Sequence, residues 1–119
     1  MRFVLLQHDM PASADKDSHL DLMLESGDGL RTWSIAEFPA AGEEVVADEL
    51  PIHRLDYLDY EGPVSNNRGE VSRLDRGTYE IQSETNDALL ILMQGEKYRG
   101  HLQLKRAVNK TWKLMLHPS

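Results

Sequence analysis

The segment His19-Leu20-Asp21-Leu22-Met23-Leu24-Glu25 alternates without a break between leucine and a second kind of side chain. Successive side chains of an extended backbone point to opposite faces, so the pattern specifies a strand. The leucines lie on a core face, and His19, Asp21 and Met23 share the other. Ser26-Gly27-Asp28-Gly29 reads as a turn, and Leu30–Glu37, with Trp33 and Ile35, as the returning strand. Residues 19–37 are thus expected to form a hairpin.

The same period recurs along the chain. Met1–Gln7 is nearly all apolar, like an inner strand. Gly69–Leu74 and Thr78–Gln82 flank Asp75-Arg76-Gly77, which suggests another hairpin. Leu89–Met93, Tyr98–Arg106 and Thr111–Leu116 follow, separated by Gln94-Gly95-Glu96 and Val108-Asn109-Lys110. Helix signals are weak. Ala41–Glu49 is compatible with a turn or two of helix before Pro51. Ala88–Met93 is an apolar run that periodicity alone does not assign. About eight short strands in 119 residues predict a mainly β, single-domain β-barrel over residues 1–119, mostly antiparallel and with little helix. Closure removes exposed strand edges. Trp33 and Trp112 are expected as core anchors.

Cysteine is absent, which excludes disulfides, thiolate metal sites and cysteine nucleophiles. The apolar run at the N-terminus is too short for a signal peptide or a membrane span, so the expectation is a soluble, cytoplasmic protein with no membrane partner. A net charge of −7 argues against a general nucleic-acid binder. Residues 97–119 nevertheless carry six basic side chains and no acidic one. They could form a local polyanion site, or simply the solvated faces of two strands.

His19 and Asp21, two apart on one strand face, could share one ion, and His8 could add a second imidazole from a neighbouring strand. Two histidines and a carboxylate leave coordination positions open for water or substrate. A second cluster, His53-Arg54-Leu55-Asp56-Tyr57-Leu58-Asp59-Tyr60-Glu61-Gly62, combines an imidazole, a guanidinium, carboxylates and phenols. It could donate hydrogen bonds or protons to a phosphate, or be a polar loop in which Leu55 and Tyr57 are packing anchors. Nucleotide phosphate loops, dinucleotide fingerprints and nucleophile elbows are absent from the sequence.

These pieces, taken in order, resemble the 3′-phosphoesterase domain of bacterial DNA ligase D. The resemblance is carried by Phe3–His8, His19–Glu25, Leu30–Ile35, His53–Tyr57, Tyr60–Gly62, Asp75–Glu80, Gly95–Gly100 and Trp112–Leu114. It implies a metal-dependent phosphoesterase on a β-barrel, which removes a 3′-phosphate or a 3′-terminal ribonucleoside from nucleic acids. By the same resemblance, His8, His19 and Asp21 are the metal ligands and His53 and Tyr57 the catalytic pair. Manganese is the implied divalent metal, with zinc or cobalt as alternatives. The implied substrate is a nucleic-acid 3′ end or a smaller phosphoester, and the implied partners are DNA-repair proteins. The departures are specific. Met23 stands where the family has an arginine, and Leu6 where it has a glutamine, with Gln7 adjacent. A lysine is lost near Ala36–Pro39, and the stretch Pro63–Gly69 is shortened. Ligase and polymerase modules are absent, so the expectation is a free-standing relative. Arg31 and Arg68 are the candidates to supply the missing cation. A relative that keeps the barrel without efficient phosphoesterase activity is the alternative implied by these losses.

Overall fold

Nine strands and one short 3₁₀ turn account for the regular structure of residues 1–118, which are the residues described by this computed structural model. The strands are β1 (Arg2–Asp9), β2 (His19–Ser26), β3 (Gly29–Ile35), β4 (Glu44–Arg54), β5 (Gly62–Pro63), β6 (Glu70–Glu84), β7 (Ala88–Gly95), β8 (Arg99–Arg106) and β9 (Thr111–His117). Their order is β1-β2-β3-β4-β9-β8-β7-β6-β5, and β1 also pairs with β6. Eight antiparallel strands therefore close into a barrel, with two-residue β5 as an extra strand beside β6. The predicted fold class holds. Of the expected domain, only Ser119 lies outside the described residues.

Inward side chains fill the barrel. Phe3 and Leu5 from β1, Leu20, Leu22 and Leu24 from β2, and Trp33 and Ile35 from β3 meet Tyr79, Ile91, Leu104, Trp112 and their neighbours. The two tryptophan rings cross edge-to-face with centroids 5.5 Å apart, inside this core as expected.

A second, smaller cluster lies on the outer face. Val4 and Leu6 of β1, Met23 of β2, Leu30 of β3 and Val71 of β6 pack together under Leu58 of the 3₁₀ turn Leu55–Leu58. Leu55, Tyr57 and Val64 cover its edge. This explains why Phe3–Leu6 of β1 is an unbroken apolar run: Phe3 and Leu5 face the barrel interior, and Val4 and Leu6 face the covered outside.

Two sequence expectations are corrected. Asp75-Arg76-Gly77 is not a turn but part of the continuous 15-residue β6. Gly77 is needed because a Cβ there would collide with the backbone of Gln94 and Gly95 on β7. Buried Asp75 accepts the amide N–H groups of Lys97 and Tyr98, both at 2.9 Å, and so anchors the β7–β8 turn. The residues that look like turn formers provide a close strand approach and a turn clamp. The second correction concerns Ala41–Glu49, where β4 forms in place of a helix from Glu44 onward. Pro51 is tolerated in β4 because only Glu44–Asp48 of this strand pair with β9, so its missing N–H interrupts no ladder on that side.

Candidate metal and phosphate site

Register places the site. Along the β1–β2 ladder, Val4 faces Met23, Leu6 faces Asp21 and His8 faces His19. Alternation turns all six side chains to the outer face, so the sequence that seals the outer cluster also presents two imidazoles and a carboxylate at its end. The ligand atoms of His8, His19 and Asp21 lie within 4.8 Å of one another, as a group able to hold a metal ion requires. The ring centroids of His8 and His19 are 4.9 Å apart.

The far side of each ring is fixed. His8 Nε2–H donates to the carbonyl oxygen of Arg68 at 2.6 Å, and His19 Nδ1–H donates to that of Asp17 at 2.9 Å. A carbonyl can only accept, so these bonds set both tautomers. His8 Nδ1 and His19 Nε2 are left facing Asp21, at 3.4 Å from Oδ2 and 3.2 Å from Oδ1. Backbone carbonyls that orient imidazoles in this way are the usual outer support of metal-ligating histidines.

Asp21 is 3% exposed, and its Oδ1 accepts no hydrogen bond despite the nearby His19 nitrogen. Burial alone would raise its carboxyl pKa, but the two facing imidazoles outweigh burial and hold it at about 2. The Asp21 carboxylate, which takes a hydrogen bond from Nδ1 once His8 is protonated, raises the His8 pKa against the partial burial of the ring. A buried carboxylate with two imidazole nitrogens turned toward it is an arrangement that a shared cation satisfies. The residues present fit a divalent metal.

The second predicted cluster arrives from the other direction. His53 lies one residue before the end of β4, opposite Leu30, and Tyr57 stands on the 3₁₀ turn that follows. Their rings meet edge-on at 5.8 Å. His53 Nδ1–H donates to the carbonyl of Pro51 at 2.8 Å, which leaves Nε2 as the atom available to a substrate. His8, Asp21, Met23, His53, Tyr57 and Arg68 line one cavity of about 100 Å³, together with Val64 and Val71. The fold therefore gathers the predicted site residues on one outer face. Tyr57 also packs against the outer cluster, so its two sequence readings are compatible.

Met23 lies in this cavity, as alternation requires, but is 1% exposed and serves the outer cluster as well. Gln7 does not replace the family's glutamine. It lies on the opposite strand face, where its amide donates to Asp9 at 3.1 Å. Arg31 is also occupied, paired with Glu84 at 2.9 Å and stacked near Trp33.

The basic segment stands elsewhere. Strands β8 and β9 lie across the barrel from β1 and β2 in the closed strand order. Lys113 pairs with Glu44 at 3.7 Å, and Arg106 lies over Trp112 beside Glu49. Lys113 and Arg106 thus have local partners on solvated strand faces, and none of the six basic residues of this segment lines the cavity beside the metal-ligand group.

Gly69 joins the fold to the site. It has a φ of +83°, and a Cβ there would run into the carbonyl of Asp9. Gly69→Ala is expected to destabilise the protein by about 1–3 kcal/mol through the backbone conformation alone. It should also weaken metal binding, because it displaces the adjacent carbonyl that orients His8. Thermal denaturation and a metal titration of the same variant would check both effects.

Residues 7–106 match the family model described as the DNA Ligase D 3′-phosphoesterase domain. No curated protein matches the chain.

Proposed function

Because the chain belongs to the DNA ligase D 3′-phosphoesterase domain family, we propose that it is a divalent-metal-dependent phosphoesterase acting on nucleic-acid 3′ ends in the cytoplasm, as part of DNA repair. One observation carries this reading: His8, His19 and Asp21 converge as a metal-ligand group, and two of them, His8 and Asp21, line one cavity with His53 and Tyr57. A barrel needs none of the five in order to close.

In this reading His8 Nδ1, His19 Nε2 and an Asp21 oxygen hold the metal, with manganese first and zinc or cobalt as alternatives. When bound, such an ion supplies charge to a phosphoryl oxygen and lowers the pKa of a coordinated water. The protein does the rest through position. The Arg68 and Asp17 carbonyls keep both imidazoles in the ligating tautomer. Asp21 stays ionised at neutral pH because its pKa is held at about 2. His53, when protonated at Nε2, donates to a phosphate oxygen or to the departing 3′-oxygen of the sugar. The Tyr57 hydroxyl adds a neutral donor on the same side. The cavity suits a phosphate group rather than a whole nucleotide.

A second reading has a specific observation in its favour. A thioether at Met23 offers phosphate neither charge nor a donor. A relative that binds metal and 3′ ends but turns over slowly would keep the same ligands.

One experiment tests both readings: manganese titration followed by turnover of a 3′-phosphorylated primer-template. Manganese is expected to raise the unfolding temperature, because a ligand at 100 times its Kd stabilises the native state by about 2.7 kcal/mol. A 3′-hydroxyl product should then appear only with metal present. Stabilisation without product would select the second reading, and neither effect would reject both.

A further inference from the structure

The metal-ligand group and His53 can receive a phosphate, but a dianionic group held beside Asp21 needs a fixed cation as well. The side chain best placed for this comes from the loop between β5 and β6. Asn66 and Asn67 both adopt positive φ, at 63° and 55°, and Gly69 follows at +83°, so the chain turns sharply around Arg68. Arg68 Nε–H donates to the Ser65 carbonyl at 2.8 Å, and one terminal nitrogen donates to Ser65 Oγ at 3.2 Å. A guanidinium has five N–H donors, so three remain unused. Arg68 makes no ion pair with a carboxylate among the described residues, whereas Arg31, Arg73 and Arg106 each do. Its own carbonyl holds the His8 ring. One residue thus orients a metal ligand through its backbone and carries a pre-positioned, unneutralised charge on its side chain.

The surrounding space matches this placement. Arg68 lines the cavity of about 100 Å³ that contains His8 and Asp21. It also lines a wider groove of about 620 Å³ formed with Leu50, Ile52 and Arg54. His53 and Tyr57 border both spaces, so all three residues stand where the small cavity meets the groove.

Resting on the proposed phosphoesterase function, we infer that Arg68 is the phosphate-binding cation of this site and supplies from a loop the charge that Met23 does not. A terminal 3′-phosphate sits in the small cavity between Arg68 and His53, and the attached nucleoside lies in the groove. The free edge of the guanidinium binds two phosphate oxygens.

The test compares wild type, Arg68→Ala, Arg68→Lys and the remote control Lys113→Ala. Thymidine 3′-monophosphate is titrated into each metal-free protein, and kcat/KM is measured on a 3′-phosphorylated primer-template at saturating manganese. Arg68→Ala should weaken nucleotide binding about tenfold or more and lower kcat/KM by about 10- to 100-fold, mainly through KM. Arg68→Lys should fall between, since it keeps the charge but not the fork. Lys113→Ala should match wild type. Manganese affinity and unfolding temperature should stay as in wild type throughout, because the carbonyl that holds His8 is retained. Unchanged nucleotide affinity in Arg68→Ala overturns the inference, as does a wild type that binds no thymidine 3′-monophosphate. Loss of manganese binding in Arg68→Ala would also overturn it by reducing Arg68 to a support of the loop. If wild type lacks turnover, the phosphoesterase reading fails, and the nucleotide titration still decides the role of Arg68.

Discussion

Asp21→Asn is expected to lose manganese binding and, with it, all turnover above background. The substitution is nearly isosteric, so the barrel should remain folded. The outer face, however, would lose the one buried anion that makes two converging imidazole nitrogens into a cation site. Removing a residue that only orients a metal ligand costs about 10–100-fold in affinity. Removing a charged ligand should cost at least the upper end of that range. The measurement is a manganese titration read by thermal unfolding, with activity assayed on the same samples. If Asp21→Asn keeps the wild-type manganese response, the metal lies elsewhere. His8→Ala should behave in the same way, since its Nδ1 is turned toward the same carboxylate.

His53→Ala should separate metal binding from chemistry. Its ring is tied to the Pro51 carbonyl rather than to Asp21, and it borders the cavity that His8 and Asp21 also line. Removing the imidazole is expected to lower turnover by about 10²–10⁴, the usual contribution of a positioned acid or base. Manganese affinity should change little. Full activity in His53→Ala would exclude it from the mechanism, and parallel loss of manganese binding would make it a ligand. Tyr57→Phe offers a milder comparison, because it removes one neutral donor and keeps the ring that packs against the outer cluster.

The sequence by itself determined the barrel and the metal-ligand face. Strict alternation through His19–Glu25 leaves one placement for its leucines, and that placement puts His19, Asp21 and Met23 together. A period of two is a local property of extended backbone, so it can be read without knowing the neighbouring strands. Which strand lies opposite is not local. Only the β1–β2 register shows that His8 faces His19, and a slip of one residue would have sent it to the other face.

Other features depended wholly on tertiary contacts. Asp75-Arg76-Gly77 has turn composition, yet Gly77 is required by the backbone of β7 passing close beside it. The segment from Glu44 became a strand because β3 and β9 were there to pair with it, which outweighs a weak helical preference. The basic residues near the C-terminus are a run in sequence, but closure of the barrel carries them to the side away from the metal-ligand group. Arg68 shows the reverse case. The sequence offers Arg68 and Arg31 alike as the substitute cation and does not choose between them, and the loop brings Arg68 to His8 only because β6 pairs along the whole of β1 and starts its ladder at Asp9. Periodicity fixes which side chains share a face, and long-range pairing decides which faces and loops meet.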